Sequence, residues 1–352
     1  MATISVHVVS EHAGDQRAYG CSHIRNLLPL THPVNRPHLA VSASFDYAPA
    51  DVVIVERAWE PHTNVAEADE LVARASADGV CLVYSVDDAL LEAPSISAAS
   101  RTIVRTLCRA AAGVVVSTPF LRNRFARLNQ RVFVVPNALD ERLFIAGTVD
   151  GTRETAGRVV VGFMGTLTHE SDLMLVVQPL RTLLRRNAGT LEFQIVGGIS
   201  EPGWLGLFDG LPVRKLEVPP ESFEYPAFVG WMRRNLRWDI AIAPLADSPL
   251  NLGKSDIKFL DYSALGFPGV YSAAPAYTGT VRHLETGILV ENSPDAWMDG
   301  LELLLRNEEL RIGVAQRAKE YVRLNRTLEH CAGAFREAVQ AILATYRGRR
   351  CG

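Results

Sequence analysis

Short apolar runs rich in β-branched residues alternate along this chain with stretches in which apolar residues recur at helical spacing. In the first half, the runs that predict buried strands are Ile4–Val9, Val52–Glu56, Cys81–Ser85, Gly113–Ser117 and Val132–Val135. The stretches that predict helices are Cys21–Leu28, Asn64–Asp78, Ser97–Ala112 and Pro119–Leu128. Strands and helices that alternate in this way indicate a parallel, doubly wound α/β sheet.

A second series of the same kind follows. Its predicted strands are Val159–Met164, Leu191–Val196, Val213–Val218, Ile240–Ala243 and Gly269–Ser272. Its predicted helices are Ser171–Arg186, Phe223–Asn235, Lys254–Leu265 and Pro294–Leu305, and the tail from Glu308 to Tyr346 is nearly all helical in pattern. Residues 146–157 are small or polar and lack periodicity, which predicts a linker between a first domain, 1–145, and a second, 158–330.

Composition places the chain among ordinary soluble proteins. It has 352 residues, of which 48% are hydrophobic and 21% charged, enough to bury a sizeable core in two domains. Its five cysteines are odd in number and form no CxxC pair, which favours reduced thiols in a cytoplasmic protein. The first residues, MATISVHVVS, lack a basic segment before the apolar run, so they predict a strand and not a signal peptide.

Charge excludes one class of partner and leaves another open. A net charge of -3 gives no electrostatic case for nucleic-acid binding. No apolar stretch approaches the roughly 18 residues that a spanning helix needs, so any membrane contact is expected to be peripheral. A basic stripe that could contact anionic lipid, or form a solvated face, consists of Arg122, Arg124, Arg127 and Arg131.

The segment 239–266, DIAIAPLADSPLNLGKSDIKFLDYSALG, carries the clearest chemical signal. A buried strand is followed by a loop and a predicted helix, on which Lys254, Lys258 and Asp261 have the spacing of one face. Two ammonium groups and a carboxylate beyond the carboxyl end of a strand suit a nucleoside diphosphate, with the lysines on phosphates and the carboxylate on ribose. The alternative is a solvated helix face with intrahelical ion pairs.

Three familiar motifs are absent. Gly253, Lys254 and Ser255 resemble the end of a phosphate-binding P-loop, but Ser248 stands where its first glycine is required. No GxGxxG follows a predicted strand, which disfavours a nicotinamide-dependent dehydrogenase, and no HExxH or other metal-ligand spacing occurs.

Five segments occur in an order typical of one family: VVVPNALDERLF (134–144), VGFMGTLTHESDL (161–173), WDIAIAPL (238–245), KSDIKFLDYSALGFP (254–268) and TGILVE (286–291). Together they resemble the retaining nucleotide-sugar glycosyltransferases of family 4, which have the GT-B fold. The resemblance implies two Rossmann-like domains facing each other across a cleft, with the acceptor in the first and the donor in the second. It also implies that residues 331–352 form a C-terminal helix that crosses back to the first domain.

The resemblance assigns roles to several residues of the donor domain. Asp261 takes the place of the family's acid, usually Glu, that binds the donor ribose, but the partner acid eight positions earlier is replaced by Gly253. The family's basic pair in the first loop is also missing. Lys254 and Lys258 are therefore expected to neutralise the diphosphate and to act as catalytic residues. Gly165 and Thr166 are expected to let the donor approach the backbone, although a glycine there also fits a tight turn.

Two residues near the start of the Ser171–Arg186 helix have more than one interpretation. Asp172 fits a helix cap or a charge in the first turn. His169 fits a donor contact to a phosphate or sugar hydroxyl, or an ordinary loop histidine.

In the first domain, candidate residues follow the ends of predicted strands. Arg17, Tyr19 and Arg25 lie in or after the polar loop behind the first strand and are candidate acceptor contacts. Asp87 and Asp88 follow the strand Cys81–Ser85, and either carboxylate could orient an acceptor hydroxyl or take its proton. The alternative for Asp88 is an N-cap for a helix at Ala89–Glu92.

These features together predict a cytoplasmic glycosyltransferase that moves a sugar from a nucleotide-diphosphate donor to a glycan, a lipid-linked acceptor or a similar hydroxyl. No metal or other cofactor is expected, and retention of configuration is implied by the resemblance alone. A sugar-nucleotide epimerase or hydrolase on the same fold remains an alternative. So does a non-catalytic partner subunit, which the glycine at position 253 favours.

Overall fold

The computed structural model describes residues 3–12, 17–58, 63–93, 96–145, 157–166, 169–199 and 203–350. It divides into two compact units. The first comprises residues 1–141, 252–255 and 326–352, and the second comprises residues 142–251 and 256–325. Apart from Gly157, the linker predicted at 146–157 lies outside the described residues.

The first unit contains a six-stranded parallel sheet with the order β2-β1-β3-β4-β5-β6. Its strands are β1 (Ile4–Val9), β2 (Leu39–Ser44), β3 (Val52–Glu56), β4 (Cys81–Val86), β5 (Gly113–Val116) and β6 (Val132–Val134). Val8 pairs with Ala43 on one side and with Ile54 on the other. The strand order reverses at β1, so the carboxyl ends of β1 and β3 border a crevice of the kind in which open α/β sheets bind ligands.

Helices cover this sheet, and the chain's C-terminal helix is one of them. They are α1 (Gly20–Ser22), a π-helical stretch His23–Leu27, α2 (Leu28–Thr31), α3 (Val65–Ala77), α4 (Ala98–Ala110), α5 (Pro119–Phe125) and α14 (Leu328–Arg350). Phe335, Val339 and Ile342 of α14 are buried in the core of the sheet. A Cβ on Gly113 of β5 would lie only 2.7 Å from the Ile342 side chain, so glycine permits the close approach of α14.

The second unit contains another six-stranded parallel sheet, with the order β12-β11-β10-β7-β8-β9. Its strands are β7 (Val159–Gly165), β8 (Leu191–Gly197), β9 (Val213–Leu216), β10 (Ile240–Ala243), β11 (Gly269–Ser272) and β12 (Ile288–Val290). The helices are α7 (Glu170–Arg186), α8 (Gly203–Gly206), α9 (Tyr225–Asn235), α10 (Ile257–Leu265), α11 (Pro275–Thr278), α12 (Pro294–Arg306) and α13 (Glu308–Asn325). The short helix α6 (Glu141–Ile145) begins where the chain leaves the first unit.

The predicted α/β class with two doubly wound parallel sheets is confirmed, and four local predictions need correction. The strands β2 and β12 were not predicted. The single helix expected at Cys21–Leu28 is instead a π-helical stretch between two short α-helices, running from Gly20 to Thr31. The helix expected from Lys254 begins at Ile257. Among the described residues, no helix combines the length and apolar character needed to span a bilayer.

Candidate functional site

In the second unit, polar side chains gather at the carboxyl ends of β7 and β10, which are neighbours in the sheet. β7 ends at Gly165, and α7 begins at Glu170 with His169 as its N-cap residue. Tyr262 of α10 fixes that helix against both strands, because its hydroxyl accepts from the Met164 N–H (3.2 Å) and donates to the Ile242 carbonyl (3.1 Å). This edge of a parallel sheet is where α/β folds bind ligands.

Asp172, His169 and Lys258 form a chain of hydrogen bonds at this edge. The Asp172 Oδ2 atom accepts from His169 Nδ1 at 2.7 Å, and Lys258 Nζ lies 3.0 Å from His169 Nε2. Asp172 is in the first turn of α7, as expected, but its other oxygen accepts from the Ala246 N–H and from the Asn251 amide, both at 2.8 Å. Its carboxylate therefore links α7 to the loop after β10, a role that the capping interpretation did not foresee.

Lys258 and Asp261 are both buried, which contradicts the alternative of a solvated helix face. Lys258 is 9% exposed and its ammonium lies 5.9 Å from the centre of the Phe163 ring. Asp261 is 5% exposed and accepts a 2.7 Å hydrogen bond from the Tyr225 hydroxyl of α9. Burial raises the pKa of Asp261 to about 7, although Tyr225 and the charge of Lys258 both oppose this shift.

The prediction that Lys254 shares a helical face with Lys258 and Asp261 is wrong. Residues Asn251–Gly253 form a 3₁₀ turn, and the N-cap of α10 is Asp256, whose carboxylate accepts from Thr280 at 2.8 Å. Lys254 precedes the helix and belongs to the first unit. Helical spacing therefore does not relate it to the other two side chains.

Gly165 and Thr166 form the turn that leads from β7 toward α7. The Thr166 carbonyl accepts from the His169 N–H at 3.0 Å. A Cβ on Gly165 would lie 2.9 Å from the Phe163 ring, and a Cβ on Gly197 would lie 2.4 Å from the Gly165 carbonyl oxygen. Packing against Phe163 thus favours glycine at 165, and the Gly165 carbonyl oxygen leaves no room for a side chain at 197, so packing alone can account for a glycine at this turn.

In the first unit, a charged cluster lies at the carboxyl ends of β1, β3 and β4. Arg57 follows β3, and its guanidinium contacts three carboxylates: Glu11 at 2.8 Å, Asp87 at 3.1 Å and Asp88 at 2.9 Å. Arg57 has a φ of 47°, a left-handed conformation that is uncommon for a residue other than glycine. Asp87 and Asp88 were predicted from the sequence as site residues, whereas Arg57 and Glu11 were not.

Asp88 is also bound by Lys254, whose Nζ lies 2.8 Å from Oδ1. The charges of Lys254 and Arg57 hold the pKa of Asp88 well below its usual range, against the effect of burial. The N-cap position of the 3₁₀ turn Leu90–Glu92 is occupied by Ala89 and has no side-chain cap, so the N-cap interpretation of Asp88 is wrong. A carboxylate that stays ionised far below neutral pH is a weak base and does not suit the general-base role considered above.

Glu56 ends β3 beside this cluster and was also missed. It is 1% exposed, and its Oε2 accepts from the Ser22 hydroxyl and from the Glu11 N–H. Burial raises the pKa of Glu56 to about 8, so the side chain is mostly protonated at neutral pH.

The three acceptor candidates occupy different environments. Arg25 is 3% exposed and donates at 2.7 Å to the Val135 carbonyl and to Asn137 Oδ1, so it braces the core and the prediction of an acceptor contact is not supported. Tyr19 and Arg17 are exposed at the carboxyl-end loop of β1.

Gly253, which stands where the resemblance implies an acid, lies in a crowded site. A Cβ on the buried Gly253 would lie 3.0 Å from the Ala89 Cβ and from Leu121 Cδ2, and 3.1 Å from the Ala89 nitrogen. A side chain could enter this position only if Ala89 and Leu121 gave way by a few tenths of an ångström.

One group of described residues has the ligand types of a metal site. His32, Asp140 and Glu141 bring their ligand atoms within 4.8 Å of one another. However, His32 Nε2 bonds Glu141 directly at 2.9 Å, and the second Glu141 oxygen accepts from the Glu329 N–H of α14 at 3.2 Å. These contacts explain the group as a link to the start of α14.

No protein-family model matches the sequence, and no curated protein matches it. Several solved structures are similar in fold. HepE of Anabaena, in complex with UDP and glucose, has a TM-score of 0.69 at 12% identity, over 96% of this chain and 100% of that one. Sucrose-phosphate synthase of Thermosynechococcus elongatus has a TM-score of 0.71 at 12% identity, over 97% and 99%. A glycosyltransferase of Rickettsia africae has a TM-score of 0.64 at 11% identity, over 97% and 99%. At these identities the likeness establishes the fold, and the chain has the GT-B fold.

Proposed function

We propose that the chain is a glycosyltransferase that uses a nucleotide-diphosphate sugar as donor and a hydroxyl group as acceptor. The observation that carries this proposal is the pairing of Lys258 and Asp261 on one turn of α10, both buried at the ligand-binding edge of the second sheet. A cation for the diphosphate and an acid for the ribose then stand where the resemblance to family 4 places the donor.

Lys258 supplies the positive charge that the leaving diphosphate needs. The first turn of α7 carries Glu170 and Asp172, so acidic side chains already compensate the positive end of that helix. Transfer breaks the bond between the sugar C1 and the diphosphate oxygen, and the electron pair goes to the diphosphate. A buried ammonium near that oxygen stabilises the developing charge more than one in water would.

Asp261 is suited to accept hydrogen bonds from the ribose hydroxyls. Since its pKa is raised to about 7, the fraction that is ionised increases through neutral pH, and hydrogen bonds to an ionised acceptor are the stronger ones. HepE, a similar structure, holds UDP and glucose, which makes UDP-sugars the first donors to test.

The remaining assignments belong to the same proposal. Membership of family 4, retention of configuration and independence of metal ions follow from the resemblance, and Lys258 in place of a metal is consistent with the last of these. The acceptor is a glycan or lipid-linked hydroxyl, with Asp87 as a candidate contact in the first unit. We assign Asp88 the role of an ion-pair partner of Lys254 and Arg57, because its lowered pKa makes it a poor base. A cytoplasmic location, with peripheral contact to the membrane, fits an acceptor of the lipid-linked type.

Titration calorimetry with UDP, GDP and dTDP tests the donor site. One charge-assisted contact is worth roughly 1.5–3 kcal/mol, so Lys258→Ala should weaken binding of the preferred diphosphate about ten- to a hundredfold. Lys319→Ala is the matched control, because Lys319 is an exposed lysine on α13 of the same unit. Unchanged affinity in Lys258→Ala, or no binding of any nucleotide by the wild type, would contradict the proposal.

A further inference from the structure

The hydrogen bonds that join Asp172, His169 and Lys258 have a feature that a donor contact by His169 does not explain. Both ring nitrogens of His169 already have a partner within the protein, Asp172 on Nδ1 and Lys258 on Nε2. His169 is 9% exposed and Asp172 only 1%. The imidazole therefore lies between a buried carboxylate and the ammonium that we assign to the diphosphate.

We propose that Asp172 and His169 are positioning residues that hold the Lys258 ammonium in place for the donor diphosphate. This inference rests on the proposed function. Lys258 acts on the substrate, and the other two residues act through it.

The geometry fixes the protonation state that such a role requires. An ammonium has only donors, so Nε2 must offer its lone pair to Lys258. Nδ1 must then carry the proton, which it donates to the Asp172 carboxylate. The Asp172 carboxylate thus selects the histidine tautomer whose Nε2 can accept a hydrogen bond from a lysine.

Asp172 is itself held rigidly. Its second oxygen accepts from the Ala246 N–H and the Asn251 amide, so one carboxylate connects the first turn of α7, the loop after β10 and the histidine ring. The same bonds fix the loop after β10 at Ala246 and Asn251.

The physical benefit is preorganisation. A lysine side chain loses rotamer freedom when it is fixed, and a lysine already held by His169 does not lose this freedom on donor binding. Lys258 also lies close enough to Asp261 for its charge to lower the pKa of that carboxyl. Its bond to His169 competes with Asp261 for the ammonium and so leaves the acid available to the ribose.

The tautomer is tested without any nucleotide. In protein labelled with ¹⁵N-histidine, His169 should show a protonated Nδ1 and an unprotonated, hydrogen-bonded Nε2 at neutral pH, with the signals identified by their loss in His169→Gln. Lys258→Met should shift the Nε2 signal toward that of a bare imidazole nitrogen and leave Nδ1 nearly unchanged. A proton on Nε2 in the wild type, or no response of Nε2 to Lys258→Met, would overturn the proposal.

A pair of substitutions tests the consequence for the donor. The Gln side chain reaches the position of Nε2 and can offer its carbonyl to Lys258, whereas the Asn side chain reaches only the position of Nδ1. His169→Gln should keep nucleoside-diphosphate affinity within about threefold, and His169→Asn should lose about tenfold, the value of one hydrogen bond of about 1.4 kcal/mol.

Melting curves show whether both variants fold. Equal losses in the two variants, or no loss in either, would overturn the positioning role. If the wild type binds none of UDP, GDP and dTDP, the proposed function fails, and the histidine spectrum still decides the arrangement of Asp172, His169 and Lys258.

Discussion

Gly253 stands where the resemblance to family 4 implies an acid, and the structure predicts that a side chain at this position would crowd its neighbours. In Gly253→Ala the new Cβ would lie 3.0 Å from the Ala89 Cβ and from Leu121 Cδ2, and 3.1 Å from the Ala89 backbone nitrogen. Leu121 can change rotamer, but the backbone of Ala89 cannot move without disturbing the segment between β4 and the Leu90–Glu92 turn.

The expected cost combines two opposing effects. Overpacking a tight site costs about 1–3 kcal/mol, and replacing glycine by alanine returns about 0.4–1 kcal/mol through the unfolded chain. The net loss should lie between about 0 and 2.6 kcal/mol, or up to roughly 10 °C in melting temperature for a unit of this size. Gly253→Glu should lose more, because a carboxylate would also enter a buried position.

Urea unfolding of three alanine variants tests this reasoning. Gly206→Ala is the control, since a Cβ there meets nothing within 4 Å, and it should unfold at or above the wild-type urea concentration. Gly162→Ala should lose the most, because its Cβ would lie 1.8 Å from the Trp238 ring. The crowding at position 253 would be refuted if Gly253→Ala were as stable as Gly206→Ala, or if Gly253→Glu folded normally and bound the donor more tightly.

Three further predictions follow from the charged groups. The pKa of Glu56 is raised to about 8, so its stabilising contribution is fully present below pH 4.5 and is lost as pH rises through 8. Between pH 5 and 9 the stability of Glu56→Gln should therefore rise relative to that of the wild type. This relative gain in the free energy of unfolding is at most on the order of 4–5 kcal/mol, at 1.36 kcal/mol per pKa unit. An equal difference between the urea unfolding midpoints of the two proteins at pH 5 and at pH 9 would contradict it. Asp88→Asn should lose roughly 1.5–3 kcal/mol of unfolding free energy at pH 7. This loss should shrink as pH falls below 3.8, because a carboxyl with a lowered pKa stabilises the fold only where it is ionised. Equal stability of Asp88→Asn and the wild type at pH 7 would count against the ion pairs. Sugar transfer should continue in excess EDTA, whereas activity lost on chelation and restored by Mg²⁺ would show that a metal is needed.

The strands were the most predictable part of the fold. Runs such as Val52–Glu56 and Gly113–Val116 are buried on both faces and rich in valine, which is typical of central strands in a parallel sheet. β2 escaped prediction because its residues, LAVSAS, are small, and only Leu39 is buried at this edge position. β12 is only three residues long.

The helix that carries Lys258 and Asp261 was predicted in type but not in its first residue. Ile257, Leu260 and Ala264 have helical spacing, and this spacing continues back to Lys254 without any local signal to stop it. In the structure the helix begins only after its N-cap residue Asp256, and residues 252–255 belong to the first unit. Lys254 was placed beside Lys258 for this reason, and a tertiary contact with Asp88 holds it elsewhere.

The contacts that define the candidate site are long-range and leave no periodic trace. Tyr225 and Asp261 are 36 positions apart, and His169 and Lys258 are 89 apart. One general rule would have found more, since Glu11, Glu56 and Arg57 all lie at or just beyond the carboxyl ends of parallel strands.

Acceptor-dependent release of the nucleoside diphosphate is the direct measure of the proposed sugar transfer. The wild type is incubated with UDP-sugars, with and without a panel of glycans and lipid-linked oligosaccharides, beside Lys258→Ala and Lys319→Ala. A glycosyltransferase with Lys258 at the diphosphate should release UDP only with an acceptor, and this release should persist in Lys319→Ala and fall at least tenfold in Lys258→Ala. Release that is equally fast without acceptor would indicate a hydrolase or epimerase, and donor binding without release under any condition would indicate a non-catalytic subunit. Either result would rule out the proposed sugar transfer.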